Sequence, residues 1–440
     1  MLLRFEVGNH RSISEPVELS MIAMDKDREA ARKLEGVDEK VLTVAAVYGA
    51  NGSGKTNLID GLAWMEHALI SSLRMWEDSI PNDPFSFGSG PSEYSSFGVD
   101  LVVDGVRYRY ELKLDGSAVR FEALYSYPQR RRRTVFKRNG NDLSFRRGTR
   151  LTGGGRELIT NTTLVMSVAG RLTDEIKRVA RYLRDIRFVN VWPRAFIPNR
   201  ALIHRRHIRW RARPDWDDYL MDVFDEQTPP DTLREEETGG SDWRKSYLAR
   251  QQHRSLALAM LKFADFGVQD VEVVDDVTAD GGGPRRLRLL HNVAGDSLPL
   301  ELGQESDGTL TWLSLMPDLM TVLRNGGVLV VDELDSSLHT VISGKLIEMF
   351  QDPETNRNGA QIIFTTHDTS LLGCLNRDEV WLTSKRSDSS TELIPLSDFR
   401  GDRVRRSTNL ERGYLEGRFG GVPVVDQHMV REALGLTTPN

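Results

Sequence analysis

A single cysteine, Cys374, stands in a chain of 440 residues. Neither a disulfide framework nor a cysteine-based zinc site can form within such a chain, and this cysteine usage fits a reducing compartment. No apolar run approaches the roughly 18 residues that a membrane-spanning helix needs. The opening "MLLRFEVGNHRS" has too short an apolar stretch, broken by charges, to be a signal peptide. These absences predict a soluble, cytoplasmic protein with no membrane contact. An excess of positive charge is missing too. The net charge of −6 excludes a chain that coats nucleic acid as a whole, while leaving local basic patches open. There is no internal repeat, no guanine-reading N-K-x-D, no dinucleotide fingerprint, no zinc helix motif and no pattern of a catalytic triad. What is present is ordinary for a soluble globular protein, 39% apolar and 28% charged, with length for roughly two to three domain-sized units.

Alternation of apolar and polar residues marks strands at the start ("LLRFEVGN", "PVELSMIA") around a turn at "HRSISE". "VLTVAAVYG" reads as a buried strand and "TNLIDGLAWMEHALISSL" as an amphipathic helix. Strand patterning returns over about 85–150, where Asp-Gly and Asn-Gly turns separate "FGVDLVVDG", "VRYRYELKLDG", "VRFEALYSY" and "TVFKRNG". Residues of about 160–265 are mostly helical in pattern and enclose a polar loop, "QTPPDTLREEETGGSD". From 266 onward strands and helices alternate again. "VQDVEVVDDV", "RRLRLLHNV", "VLVVDE" and "AQIIFTTHD" read as strands, and "GTLTWLSLMPDLMTVLRNGG" and "TVISGKLIEMF" as helices.

The densest chemistry lies in "VAAVYGANGSGKTNLIDGLAWM", residues 44–65. In G-x-x-x-x-G-K-[ST] the glycines let backbone N–H groups turn inward on phosphates, the lysine reaches the β- and γ-phosphates and the hydroxyl ligates Mg²⁺. Gly49, Gly54, Lys55 and Thr56 satisfy that pattern, after an apolar strand and at the opening of a helix whose N-terminus favours an anion. The candidate nucleotide-binding set takes in the whole turn, with Asn51, Gly52, Ser53 and Asn57. The plainer reading is a glycine-rich strand–helix turn that happens to hold a lysine. "VLVVDE" ends an apolar strand in Asp332 and Glu333, an aspartate able to hold Mg²⁺ opposite Thr56 and a glutamate able to polarise an attacking water. "IIFTTHD" ends another such strand in His367, a candidate γ-phosphate contact, although a lone histidine at a strand end is more often structural. A parallel sheet with its chemistry at the carboxyl ends of the strands would bring these together. The missing guanine motif favours ATP.

With these residues in view, the chain resembles the ABC-type ATPases of the SMC/RecF/OLD group, and most closely the bacterial ATPases of abortive-infection and PARIS-like anti-phage systems. "RFEVGNHRSISEPVELSMIA" is similar to that family's opening hairpin, and "YGANGSGKTNLIDGL" to its Walker A. "LGQESDGTLTWLSLMPDLMTVLRNGGVLVVDELDSSLH" resembles its signature, Walker B and D-loop in one block. "GAQIIFTTHDTSLL" resembles the switch-histidine segment, and "YLEGRFGGVPVV" a C-terminal signature of this branch.

The resemblance implies an α/β fold of ABC-ATPase head type, with an N-terminal antiparallel β-subdomain and a helical insert between Walker A and the signature. The implied domains are 1–155 (Walker A and the β-subdomain), 156–265 (the insert) and 266–440 (signature, Walker B, D-loop and switch histidine). It implies ATP and Mg²⁺ as cofactors, Thr56 and Asp332 at the metal, Glu333 as general base and His367 as γ-phosphate sensor. It places Ser306 and Gly308 of "ESDGT" against the nucleotide of a second copy, Asp335 and Ser336 at the dimer interface, and Asn9, Arg11 and Ser12 near the phosphates. A helix N-cap is the alternative for "ESDGT", and both can hold. One departure stands out. The glutamine such ATPases carry between Walker A and the insert is absent from residues 66–128. Polar residues near "PFSFGSGPSEYSS" are the candidates to replace it.

The implied assembly is a homodimer, or a higher oligomer, with ATP held between the subunits. The segment after His367, about 70 residues, is too short for a fused nuclease with its own acidic cluster, so an effector is expected in trans. "HRRHIRWRARP", residues 204–214, could grip phosphates and stack on a base, and "RRRR" at 130–133 is a second candidate for DNA. Each could instead be a solvated basic face, or, for the first, a pair with the acidic "DWDDYLMDVFDE" that follows. The expected function is an ATP-driven sensor or scaffold controlling an effector in anti-phage defence. The alternative is a RecF-like DNA-binding ATPase of repair. A transporter subunit is disfavoured by the long insert.

Overall fold

Three short, wholly apolar runs set the architecture, because a strand buried on both faces needs no alternation. The computed structural model describes residues 1–28, 30–147, 155–191, 193–196, 220–221, 223–224, 242–265, 267–275, 285–336, 338–399, 410–419 and 431. The basic segment 204–214, its acidic neighbour in large part and the end of 414–425 lie outside the described residues.

The chain opens with β1 (Leu2–Gly8), β2 (Val17–Ser20), the two-residue strands β3 (Arg32–Lys33) and β4 (Lys40–Val41), and then β5 (Val44–Gly49) and helix α1 (Lys55–Met75). Next come β6 (Ser95–Val103), β7 (Val106–Leu114), β8 (Val119–Ser126), β9 (Arg133–Asn139) and β10 (Asp142–Phe145). They join β1 and β2 in a seven-stranded antiparallel sheet of order β10-β9-β8-β7-β6-β1-β2. Asp104 and Gly105 both take positive φ (49° and 72°) in the two-residue turn between β6 and β7, as a tight hairpin of matched twist requires.

Helix α2 (Asp174–Arg184) buries Ile176, Val179, Ala180 and Leu183, one stripe at helical spacing. After it β11 (Arg187–Val189) enters a second, six-stranded sheet with β15 (Val328–Val331), β16 (Gln361–Thr365), β17 (Val380–Lys385) and β18 (Thr391–Pro395), ordered β11-β15-β16-β5-β17-β18. All neighbours are parallel except β18, which turns back antiparallel on β17. This is an α/β arrangement, a parallel sheet with an antiparallel β-subdomain beside it in the chain. One buried core unites α1, the antiparallel sheet and the parallel sheet, and Trp64 of α1 stacks on Phe97 of β6 with centroids 4.5 Å apart. Gln361 stitches the sheets together: its side chain accepts from Leu2 N at 2.6 Å and donates to Leu2 O and Leu42 O, both at 2.9 Å.

The chain divides into two units, residues 1–196, 327–334 and 347–440, and residues 197–326 and 335–346. The partition differs from 1–155, 156–265 and 266–440. Helix α2 belongs with the first unit because its apolar stripe enters that unit's core. The signature segment belongs with the second. That unit holds helix α3 (Asp242–Ala264), an antiparallel sheet of β12 (Val268–Asp275), β13 (Arg285–Val293) and β14 (Asp296–Glu301), and helix α4 (Asp307–Asn325). Helix α5 (Thr340–Gln351) spans the boundary, and α6 (Leu410–Leu415) returns to the first unit. Among the described residues no helix is long and apolar enough to cross a membrane.

Candidate functional site

Because β5, β16 and β15 run parallel as neighbours, their carboxyl ends open on one edge of the sheet. From that edge emerge the loop after Gly49, the carboxylates after Val331 and the turn after Thr365. The loop 50–54 reverses tightly, with Gly49, Gly52 and Gly54 at φ 152°, 77° and 109°. A Cβ on Gly49 would stand 2.3 Å from Thr383 Oγ1, and one on Gly54 would stand 2.1 Å from Thr391 Oγ1. Those two glycines answer to space as well as to dihedral angle.

Lys55 is buried, and its Nζ donates to Gly49 O at 2.7 Å and Ala50 O at 3.3 Å, across the mouth of the loop. Thr56 Oγ1 donates to Asp332, at 3.0 Å from Oδ2 and 3.2 Å from Oδ1. Asp332 is itself only 8% exposed. A hydroxyl and a carboxylate thus converge beside the loop, an all-oxygen donor pair that fits Mg²⁺. Among the described residues no three His, Cys, Asp or Glu side chains cluster for a metal. Glu333 adopts a left-handed backbone, φ 52°, immediately after Asp332. His367 is exposed in the turn that leaves β16, and Thr366 Oγ1 shapes that turn by accepting from Asp368 N at 3.0 Å.

The N-terminal turn arrives beside α1. Asp60 of α1, almost wholly buried, is gripped by His10 Nε2 at 2.9 Å and Arg11 Nη1 at 3.0 Å. Ser12 enters a run of hydrogen bonds whose direction is fixed by proton count. Asn57 Nδ2 donates to Ser12 Oγ at 2.5 Å, and Thr391 Oγ1 donates to Ser53 O at 2.9 Å. The 2.7 Å contact between Ser12 and Thr391 therefore has Ser12 as donor. Ser53 Oγ and Thr383 Oγ1 meet at 2.6 Å, and Thr383 donates to Tyr48 O at 3.1 Å. The β17–β18 hairpin thereby braces the loop, while the N-terminal turn bonds to Asn57 of α1 and to Thr391.

Arg11, Ser12 and Asn57 also line a cleft of about 260 Å³, together with Asp83, Phe85, Phe87 and Lys385. The segment expected to replace the missing glutamine, around 84–96, contributes these phenylalanines, and Asp83 O accepts from Arg11 N at 2.7 Å. Asn9 is placed otherwise. Its side chain donates to Gly90 O and Glu93 O, both at 2.9 Å, and accepts from Phe85 N at 3.0 Å, so its amide is spent in shaping the cleft's loop.

In the second unit Ser306 is the N-cap of α4, accepting from Thr309 N at 3.1 Å, so the helix-cap reading of "ESDGT" is realised. Two contacts hold this cap to its neighbours. Glu305, with its side chain 3% exposed, meets His291 Nε2 of β13 at 2.8 Å, and Thr309 Oγ1 donates to Asp265 just beyond α3 at 3.2 Å. Gly308, Asp335 and Ser336 lie in the same unit, with Ser336 exposed and Gly308 and Asp335 half-buried. Of the basic stretch 130–133, Arg132 stacks over Tyr125 at 3.8 Å, while Arg130 pairs with Asp38 and Arg133 with Glu175 at 2.5 Å.

Thr365, Thr383 and Thr391 are not legible as site residues in the sequence, since only the order of the strands brings them to the loop and the carboxylates. The one sequence signal is the paired threonine in "TTHD", hydroxyls at the end of an apolar strand.

The family described as "AAA domain, putative AbiEii toxin, Type IV TA system" matches residues 44–161 and 177–373. Among solved structures the chain is similar to the Smc head domain with a coiled coil and joint derived from Pyrococcus yayanosii. The identity is 12%, the TM-score 0.39, and the match covers 90% of this chain and 96% of that one. No curated protein sequence matches.

Proposed function

Since the chain belongs to the AAA family described as "AAA domain, putative AbiEii toxin, Type IV TA system", we propose that it hydrolyses ATP in a site shared by two copies. The dimer would act as the nucleotide-governed sensor or scaffold of a separate toxic effector in anti-phage defence. The observation that carries the reading is the convergence of Lys55, Thr56, Asp332 and Glu333 at one edge of the parallel sheet.

In this reading the loop N–H groups and Lys55 hold the phosphates, the ammonium exchanging the carbonyls of Gly49 and Ala50 for phosphate oxygens. Thr56 and Asp332 would hold Mg²⁺, which would supply charge neutralisation to the phosphates. Ser12, which accepts from Asn57 two residues beyond Lys55, would lie near the phosphates. Glu333 takes the proton of a water whose oxygen adds to the γ-phosphorus, while the bond to the bridging oxygen breaks and its electron pair leaves with ADP. His367 would contact the γ-phosphate. Ser306 and Gly308 of the second copy would complete the site, with Asp335 and Ser336 at the interface. The rival reading, a DNA-binding ATPase of repair, draws mainly on 204–214, outside the described residues.

The test has three arms. Lys55→Ala should weaken ATP binding by about 100-fold or more, since charge-assisted hydrogen bonds to phosphate are lost; unchanged affinity would remove the loop from the mechanism. Glu333→Gln should trap an ATP-bound dimer by light scattering, and a monomer under saturating ATP would refute the shared site. Co-purification with the product of a neighbouring gene, before and after phage challenge, tests the effector.

A further inference from the structure

We propose that Thr365 is a positioning residue for the hydrolytic site, holding Asp332 and Glu333 at once through a single hydroxyl. The proposal rests on the reading of these two carboxylates given above. Thr365 is the last residue of β16 and has no exposed surface. Its Oγ1 lies 2.5 Å from Asp332 Oδ1 and 2.8 Å from Glu333 N. A backbone N–H can only donate, so the hydroxyl accepts from Glu333 and its one proton goes to the aspartate.

The turn 332–334 is pinned by that hydroxyl and by two backbone bonds. Asp332 N donates to Val189 O at 3.0 Å and Leu334 N donates to Thr365 O at 3.0 Å. Between them Glu333 holds a left-handed backbone, φ 52°, a conformation that a residue with a Cβ keeps only when its surroundings over-determine it. The Thr365 hydroxyl receives the amide at that strained position, so all three amides of the turn are engaged.

The same proton sets the aspartate. With Oδ1 engaged by Thr365, the carboxylate is fixed in rotation and presents Oδ2 closest to Thr56 Oγ1, at 3.0 Å. Those are the two side chains assigned to Mg²⁺. A threonine suits the task because its β-branched side chain has few rotamers in a strand, so the hydroxyl is aimed before any nucleotide arrives. The neighbouring Thr366 is spent differently, on the turn that carries His367. Of the paired hydroxyls in "TTHD", one therefore governs Asp332 and Glu333 and the other the approach of the histidine.

Thr365→Val removes the hydroxyl at constant shape, and Thr365→Ser keeps it. Three quantities are read on the full chain: kcat, the affinity for a fluorescent ADP in EDTA, and the Mg²⁺ concentration at which that ADP's binding tightens. The valine variant should lose about 10- to 100-fold in kcat and need about tenfold more Mg²⁺, the range for partners that orient metal ligands. Its Mg²⁺-free ADP affinity should stay within about twofold, and the serine variant should recover most of both losses. Wild-type kcat and Mg²⁺ dependence in the valine variant would overturn the proposal. Equal losses in valine and serine variants, together with weakened Mg²⁺-free binding, would overturn it too, since that pattern marks packing alone. Should the valine variant not fold, Thr365→Cys, a weaker donor of similar shape, should fall below serine in both readouts; a cysteine variant matching wild type overturns the proposal. Glu333→Gln in parallel separates the two levels. Full hydrolysis there sinks the functional reading itself, whereas its loss with an unaffected Thr365→Val sinks this inference alone.

Discussion

A methyl group placed on Gly54 should open the first turn of α1, and the size of the effect follows from two separable terms. The first is backbone strain. Gly54 sits at φ 109°, and an L-residue forced into left-handed space costs about 1–2 kcal/mol. The second is steric. The new Cβ would stand 2.1 Å from Thr391 Oγ1, 2.7 Å from its Cγ2 and 2.9 Å from its Cβ, so Thr391 must withdraw. Withdrawal breaks its hydrogen bonds to Ser53 O and Ser12 Oγ, worth about 0.5–1.5 kcal/mol each. The total is roughly 2–5 kcal/mol, felt at the amides of Asn57 and Leu58, which both donate to Gly54 O. Gly52→Ala is the control. Its φ of 77° imposes comparable strain, yet a Cβ there meets nothing within 4 Å. The assay is hydrogen exchange of residues 50–60 without nucleotide, so that no phosphate contact confuses the comparison. Protection of the first turn should fall about 30-fold or more in Gly54→Ala, and clearly less in Gly52→Ala. Equal losses in the two variants would refute the steric argument, and full protection in Gly54→Ala would refute both terms.

Two further outcomes are expected. Burial pushes the Glu122 carboxyl above its ordinary range, against the N–H groups of Val165 and Met166, the Arg138 guanidinium and the Tyr110 hydroxyl. With its native value above the unfolded one, its stabilising contribution is whole below pH 4.5 and is lost as pH climbs through the native value. Relative to Glu122→Gln, wild-type melting temperature should therefore decline as pH rises from about 4.5; a pH-independent difference would count against a raised carboxyl. In the second unit, Thr309→Val removes the donor to Asp265 beside the Ser306 cap. It should weaken ATP-dependent dimerisation by about tenfold without changing the nucleotide affinity of the monomer, and weakened monomer affinity would show that the cap does not act in trans.

The parts of the site carried by backbone pattern are readable from sequence. "VAAVYG", "VLVV" and the "IIF" of β16 are strands because a run of apolar side chains is stable only when covered on both faces, and the loop and carboxylates follow directly from where those strands end. Helix α2 is legible as a helix, yet its place in the first unit rather than in an insert is not. Its stripe from Ile176 to Leu183 shows that a face is buried and says nothing of which core receives it. Asn9 illustrates a different limit. A short amide beside a left-handed φ of 47° readily satisfies nearby backbone groups, and here it meets three of them in 85–93, a segment more than 70 positions away in sequence.

The threonines expose the deeper reason why a loop can be found in a sequence while what supports it cannot. Gly49 and Gly54 declare a need for unusual φ, because the steric limits on backbone dihedral angles are the same in every chain. What they cannot declare is which atoms fill the space their missing side chains leave. That is decided by strand order: β17 lies beside β5, β18 returns beside β17, and so Thr383 and Thr391 arrive at the loop from 330 or more residues away. The glycines are thus required twice, once by their own dihedral angles and once by a hairpin near the other end of the described chain. Any change that shifts β18 along β17 should then disturb the nucleotide loop while leaving the loop's own sequence untouched.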